Sequence, residues 1–244
     1  MSFAFLRRRG LGAGGGGAPP AAARVPDLRT AAEAEQFRAF PLMTPGRGHR
    51  SARLPRGLRE RLSRFWLAHR GHRGEGCAGE DADPRYISHE TEGSPRTLLV
   101  PLQEQDPELE ADLRDFVRRE LQAWTGQRDL QHTATFGIRE YTDGSILHTH
   151  VDRPDTHVLS AIIHVGSVGL KEPWDLQVQN RTMRCPENVR FTPDVDVILY
   201  ESTTLAHGRT RPLRGERFAN LFVHFAPRGW KGGGAGSPSS ISTS

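Results

Sequence analysis

Lysine and cysteine are nearly missing from this 244-residue chain. Only Lys171 and Lys231 stand among 33 basic residues, so arginine carries the positive charge. Cys77 and Cys185 are the two cysteines and show no ligand-type spacing, which argues against a disulfide framework and favours a reducing, intracellular compartment. No apolar run approaches the length of a membrane span, so no membrane-spanning helix is expected. Acidic residues are absent from residues 1–26, and Arg7, Arg8, Arg9 and Arg24 there account for the whole formal charge of +4. The remainder is neutral overall. Within it, Arg38 to Arg73 holds ten arginines against the single acid Glu60, offset by the acids from Glu75 onward. An excess of Arg, Ala, Gly and Pro of this kind reads as compositional bias rather than as a nucleic-acid patch.

Residues 1–26 are of low complexity and are expected to be disordered. Their basic, acid-free start also resembles an organelle transit peptide, whereas no apolar region follows the arginines as a secretory signal requires. Leu58, Leu62, Phe65 and Trp66 recur at helical spacing with arginines on the other face, predicting a core-packing helix. Gly71 to Arg85 reads as a polar loop and Thr97 to Leu102 as a buried strand. Asp106-Pro107 opens the clearest helix: Asp is a good cap and Pro suits the first helical position. Leu109, Leu113, Phe116, Val117, Leu121 and Trp124 form its apolar face, and Gly126 stops it.

After that helix the texture changes. His132–Tyr141, Leu147–Asp152, His157–Val165, Trp174–Asn180, Val189–Thr192, Val197–Glu201 and Arg217–Phe225 are short, β-rich segments separated by turn residues. The fold class expected is mainly β with supporting helices, a sandwich or jelly roll. Residues 27–129 would be the helical support, 130–227 the core and 228–244 a flexible Gly/Ser-rich tail.

The chemistry concentrates at Tyr141 to Asp152, YTDGSILHTHVD. Alternate strand residues share a face, so His150 and Asp152 project together. One more histidine would complete a 2-His-1-carboxylate triad, the ligand set of non-haem Fe(II). His157, His164, His207 and His224 are the candidates. His207 is best placed, following the strand VILYES and a turn, with Gly208 giving the backbone room. Arg217 stands ten residues further on, at the head of the next strand.

With Tyr141, Gly144, His150, Asp152, His207, Gly215 and Arg217 in this order and spacing, residues 130–227 resemble the catalytic core of the prolyl 4-hydroxylase-like Fe(II)/2-oxoglutarate dioxygenases. That resemblance implies a double-stranded β-helix core with Fe(II) held by His150, Asp152 and His207. It implies that Arg217 pairs with the distal carboxylate of 2-oxoglutarate, that Tyr141 hydrogen-bonds this cosubstrate and that His164 contacts the same carboxylate. The activity implied couples decarboxylation of 2-oxoglutarate to succinate and CO2 with O2-dependent hydroxylation of a peptide or protein side chain, with ascorbate as accessory reductant. The sequence departs from the family pattern in three places. His148 makes the motif His-x-His-x-Asp and could substitute for His150; Pro212 sits one position late; and Lys171 to Asp175 replaces a Gly-Gly-Glu-type segment. Trp174, Arg139, Arg153 and Arg209 are candidates for the mouth of the site. Two other readings stand beside this one: an AlkB-like nucleic-acid demethylase on the same fold, and a non-catalytic β-barrel binding module.

Overall fold

The computed structural model describes residues 26–70, 85–94 and 97–232. The low-complexity start, nearly all of the polar loop expected over 71–85, and the tail beyond 232 lie outside the described residues, as does any targeting role of the N-terminus.

Two antiparallel sheets face each other. The larger runs in the order β1 (His49–Ala52), β9 (Val197–Tyr200), β6 (Leu159–Val168), β11 (Arg217–Pro227), β4 (Leu130–Thr142), β3 (Thr97–Val100). The smaller runs β2 (Ile87–His89), β5 (Ser145–His150), β10 (Ala206–Arg209), β7 (Leu176–Gln179), β8 (Glu187–Val189). From β4 to β11 the chain passes repeatedly from one sheet to the other, which is the winding of a double-stranded β-helix. The segment 27–129 supplies helices and also strands: β1 and β3 extend the larger sheet at its two edges, and β2 edges the smaller one.

Helices α2 (Arg56–His69) and α4 (Pro107–Thr125), the latter preceded by the short helix α3 (Leu102–Gln105), cover the outer face of the larger sheet. Helix α4 starts and stops as its sequence dictates. The Asp106 side chain accepts from the Leu109 amide at 2.9 Å, Pro107 takes the first helical position, and Gly126 ends the helix in the left-handed conformation at φ 72°. Its buried Leu109, Leu113, Phe116, Val117 and Leu121 meet Ala219, Leu221, Val223 and Phe225 of β11. Each such side chain contributes about 1.5–3 kcal/mol of burial. Strand alternation sends Phe218 and Phe222 to the opposite side, into the space between the sheets. There Tyr141 and Phe218 of the larger sheet pack with Ile87 and Leu147 of the smaller.

Two short elements lacked a clear sequence signal. Helix α1 (Ala31–Ala39) begins with a capping box in which Thr30 and Glu33 satisfy each other's backbone amides. Strand β1, sequence HRSA, pairs with β9 and so places the arginine-rich segment beside the sheet.

Candidate metal centre

Strand pairing itself brings the two histidines together. His150 and His207 are register partners between β5 and β10, with ring centroids 4.3 Å apart. Asp152 lies just beyond the end of β5 on the same side. Its Oδ1 is 3.6 Å from Nε2 of His150 and 3.7 Å from Nε2 of His207. One ligand atom from each of the three falls within 4.8 Å of the others, a set able to enclose a metal ion. These separations are too long for hydrogen bonds and leave space between the donors.

The far side of each imidazole fixes its tautomer. Nδ1 of His150 lies 2.8 Å from the His148 carbonyl, and Nδ1 of His207 lies 2.8 Å from the Leu205 carbonyl. A carbonyl only accepts, so Nδ1 carries the proton and Nε2 keeps its lone pair toward Asp152. Burial lowers the pKa of each histidine to about 4, with the neighbouring His207 adding to the effect at His150, so both are neutral at pH 7. Burial pushes the Asp152 carboxyl up, opposed by His150 and His157. The Tyr200 hydroxyl donates to Asp152 Oδ2 at 3.3 Å. Helix α1 steadies the same loop: Gln36 Nε2 donates to the carbonyls of Asp152 at 2.7 Å and Thr203 at 2.9 Å. Two neutral imidazoles and one carboxylate, beside a cavity of about 420 Å³ that all three line, suit Fe(II) with positions left open.

His148 stands apart from this set. Its Nε2 is 2.8 Å from the Ser88 hydroxyl on β2, while its carbonyl orients His150. The cause is a bulge: His148 and Thr149 of β5 together oppose Gly208 of β10. A Cβ on Gly208 would come within 2.9 Å of the Leu147 carbonyl and the Thr149 amide. The glycine thus lets two ligand-bearing strands approach.

Tyr141 lies in the interior and lines the cavity, its ring edge-on to Trp174 at 5.0 Å. His164 is also between the sheets, against Phe191 and Phe218, with Nδ1 3.3 Å from Asn220 Oδ1. Burial lowers its pKa to about 4. Arg217 is not brought to the cavity. It sits on the helix-facing side of β11, where its guanidinium is 3.2 Å from Oε2 of the fully buried Glu140. The other oxygen of Glu140 accepts from the Trp66 indole of α2. The inward position next to it is Phe218. Arg209 instead occupies the interior. Two residues from His207 on β10, it is 1% exposed and lies over the rings of Trp174 and Phe218 at 4.9 and 5.2 Å. Its burial draws the pKa down to about 10, so it stays charged.

At the mouth, Phe136 is 47% exposed and stacks on His157 at 5.5 Å. Tyr86 also lines the cavity, 4.8 Å from the His150 ring. Five of the ten arginines of the arginine-rich stretch are paired: Arg47 with Glu187, Arg53 with Asp194, Arg56 with Glu60, Arg59 with Asp196 and Arg61 with Asp112. No helix among the described residues is long and apolar enough to cross a membrane.

No family model and no curated protein matches the sequence. Solved structures do. A prolyl-4-hydroxylase from Pseudomonas putida aligns with 75% of this chain and 94% of its own at 16% identity and a TM-score of 0.48. HygX from Streptomyces hygroscopicus, with nickel, 2-oxoglutarate and hygromycin B bound, aligns with 82% of this chain and 88% of its own at 14% identity and a TM-score of 0.50. AviO1 from Streptomyces viridochromogenes Tue57 aligns over 81% and 96% at 16% identity and a TM-score of 0.52. The expected architecture is the observed one: the chain has the double-stranded β-helix fold of AviO1 and HygX.

Proposed function

We propose that this protein is an Fe(II)- and 2-oxoglutarate-dependent dioxygenase that hydroxylates a side chain of a peptide or protein. The observation that carries the reading is the His150–Asp152–His207 donor set, with both Nε2 lone pairs freed by backbone carbonyls and directed at one carboxylate oxygen beside a cavity. In this role His150, Asp152 and His207 would hold Fe(II), which would couple the two-electron oxidation of 2-oxoglutarate to succinate and CO2, and that of the substrate, to the reduction of O2. Ascorbate is the accessory reductant. The His148 and Leu205 carbonyls keep the imidazoles in the ligating tautomer. Tyr200 and Gln36 hold Asp152 in place. The apolar walls, among them Ile162 and Phe222, keep bulk water from the reacting centre.

The aromatic rings of Phe136 and Tyr86 in the cavity lining support a peptide substrate, as groups able to pack against an entering side chain. A nucleic-acid substrate is disfavoured because five arginines of the basic stretch are already neutralised by carboxylates. A purely non-catalytic barrel gives no reason for a complete, tautomer-fixed ligand set. The test is succinate release in the presence of Fe(II), ascorbate and 2-oxoglutarate, comparing proline-containing peptides with alkylated oligonucleotides. Peptide-stimulated turnover is expected; stimulation by the oligonucleotides alone would refute the substrate class.

A further inference from the structure

A charged guanidinium sealed inside a protein demands partners for its donors, since each donor left unpaired has lost its water without compensation. Arg209 makes only part of its possible set. Nε donates to the Trp174 carbonyl at 3.1 Å, whereas NH1 and NH2 are buried and have no hydrogen-bond partner among the described residues. No carboxylate forms an ion pair with it among those residues. A third orphan donor is close in the fold: Nδ2 of Asn220, a fully buried side chain whose Oδ1 is engaged by His164. Asn220 shares the inward face of β11 with Phe218, one of the rings beneath the guanidinium. Arginine with two parallel free N–H groups is the natural counterpart of a carboxylate.

We infer that Arg209, aided by Asn220, and not Arg217, clamps the distal carboxylate of 2-oxoglutarate. The inference rests on the proposed dioxygenase reading and relocates the anchor to β10, the strand that carries His207. Two residues of strand separate them, about 7 Å. Metal ligand and carboxylate clamp therefore belong to one rigid element, and both face the interior. Trp174 and Phe218 lie against the guanidinium at 4.9 and 5.2 Å, and its Nε is taken by the Trp174 carbonyl, so NH1 and NH2 are the donors free to pair with an anion. Arg217 is unavailable for this role because it is committed to Glu140 on the outer face.

The test is binding to the Fe(II)-loaded enzyme without oxygen, measured by calorimetry with two ligands: 2-oxoglutarate and 2-oxopentanoate, which keeps the chelating end and lacks the distal carboxylate. Wild type is expected to bind 2-oxoglutarate far more tightly. Arg209→Met should weaken 2-oxoglutarate about 100-fold or more, the order of a lost charge-assisted pair. It should leave 2-oxopentanoate within about threefold, a readout that a merely misfolded variant would not give. Arg217→Met should leave the affinity for 2-oxoglutarate unchanged. Loss of 2-oxoglutarate binding in Arg217→Met with retention in Arg209→Met overturns the inference and leaves the dioxygenase reading intact. Failure of wild type to bind 2-oxoglutarate at all overturns both.

Discussion

If Arg217 is structural, removing it should injure the fold rather than the site. Glu140 is fully buried, and its carboxylate is satisfied on one side by the Trp66 indole and on the other by the Arg217 guanidinium. Arg217→Ala would take a cationic partner from that carboxylate. Breaking a buried pair costs about 3–5 kcal/mol. The Arg217 side chain is 31% exposed, so water screens part of the interaction, and about 2–3 kcal/mol is the expected loss. For a chain of this size that lowers Tm by roughly 5–10 °C. Urea denaturation should show a lower midpoint with an unchanged slope. Glu140→Gln in the Arg217→Ala background removes the buried charge and keeps an acceptor for Trp66, so it should recover at least half of the loss. A midpoint unmoved by Arg217→Ala, or no recovery in the double variant, would refute this account of the Glu140 pair.

Three further outcomes follow from the same geometry. Gly208→Ala should weaken metal binding at least tenfold by calorimetry, because the added Cβ meets the bulged β5 backbone at 2.9 Å and parts His207 from His150. Gly166→Ala should destabilise by about 1–3 kcal/mol, a lower Tm without a change in metal affinity, since its Cβ would overlap the Trp66 ring. Acid should unfold the metal-free protein. His164 has a folded pKa of about 4 against a reference of 6.5, so the unfolded chain binds the proton more readily. The stability it supports is complete above pH 6.5 and falls as pH drops toward 4, by about 3 kcal/mol. His150 and His207 add to the slope in the same direction, and Zn(II) should flatten it by holding them deprotonated. A flat denaturation midpoint between pH 7 and 4.5 without metal would contradict this.

Much of the architecture was written locally. The ends of α4 follow from Asp106, Pro107 and Gly126 because caps act within one turn. The triad was legible because His-x-Asp puts two donors on one side and because β10 follows an unmistakable apolar strand. Parity was not legible. Arg217 begins its strand, and a shift of one residue exchanges every inward and outward position, so its spacing from His207 could not say which face it takes. The structure gives Phe218 the inward place and Arg217 the outer one, where a buried acid from β4 meets it. Arg209, expected at the mouth, lies buried in the interior, and its place was hidden for a related reason. Ala206–Arg209 has no β-branched residue, so the strand that aims it inward is visible only once β5 and β7 flank it. The bulge that settles the role of His148 likewise arises from pairing with Gly208, across some sixty residues of chain.

The most direct measurement is the visible spectrum of the anaerobic protein with Fe(II) and 2-oxoglutarate. A weak metal-to-ligand charge-transfer band is expected in wild type and should vanish in His207→Ala. No band in wild type, or the same band in His207→Ala, would contradict the assignment of His150, Asp152 and His207 as the iron site.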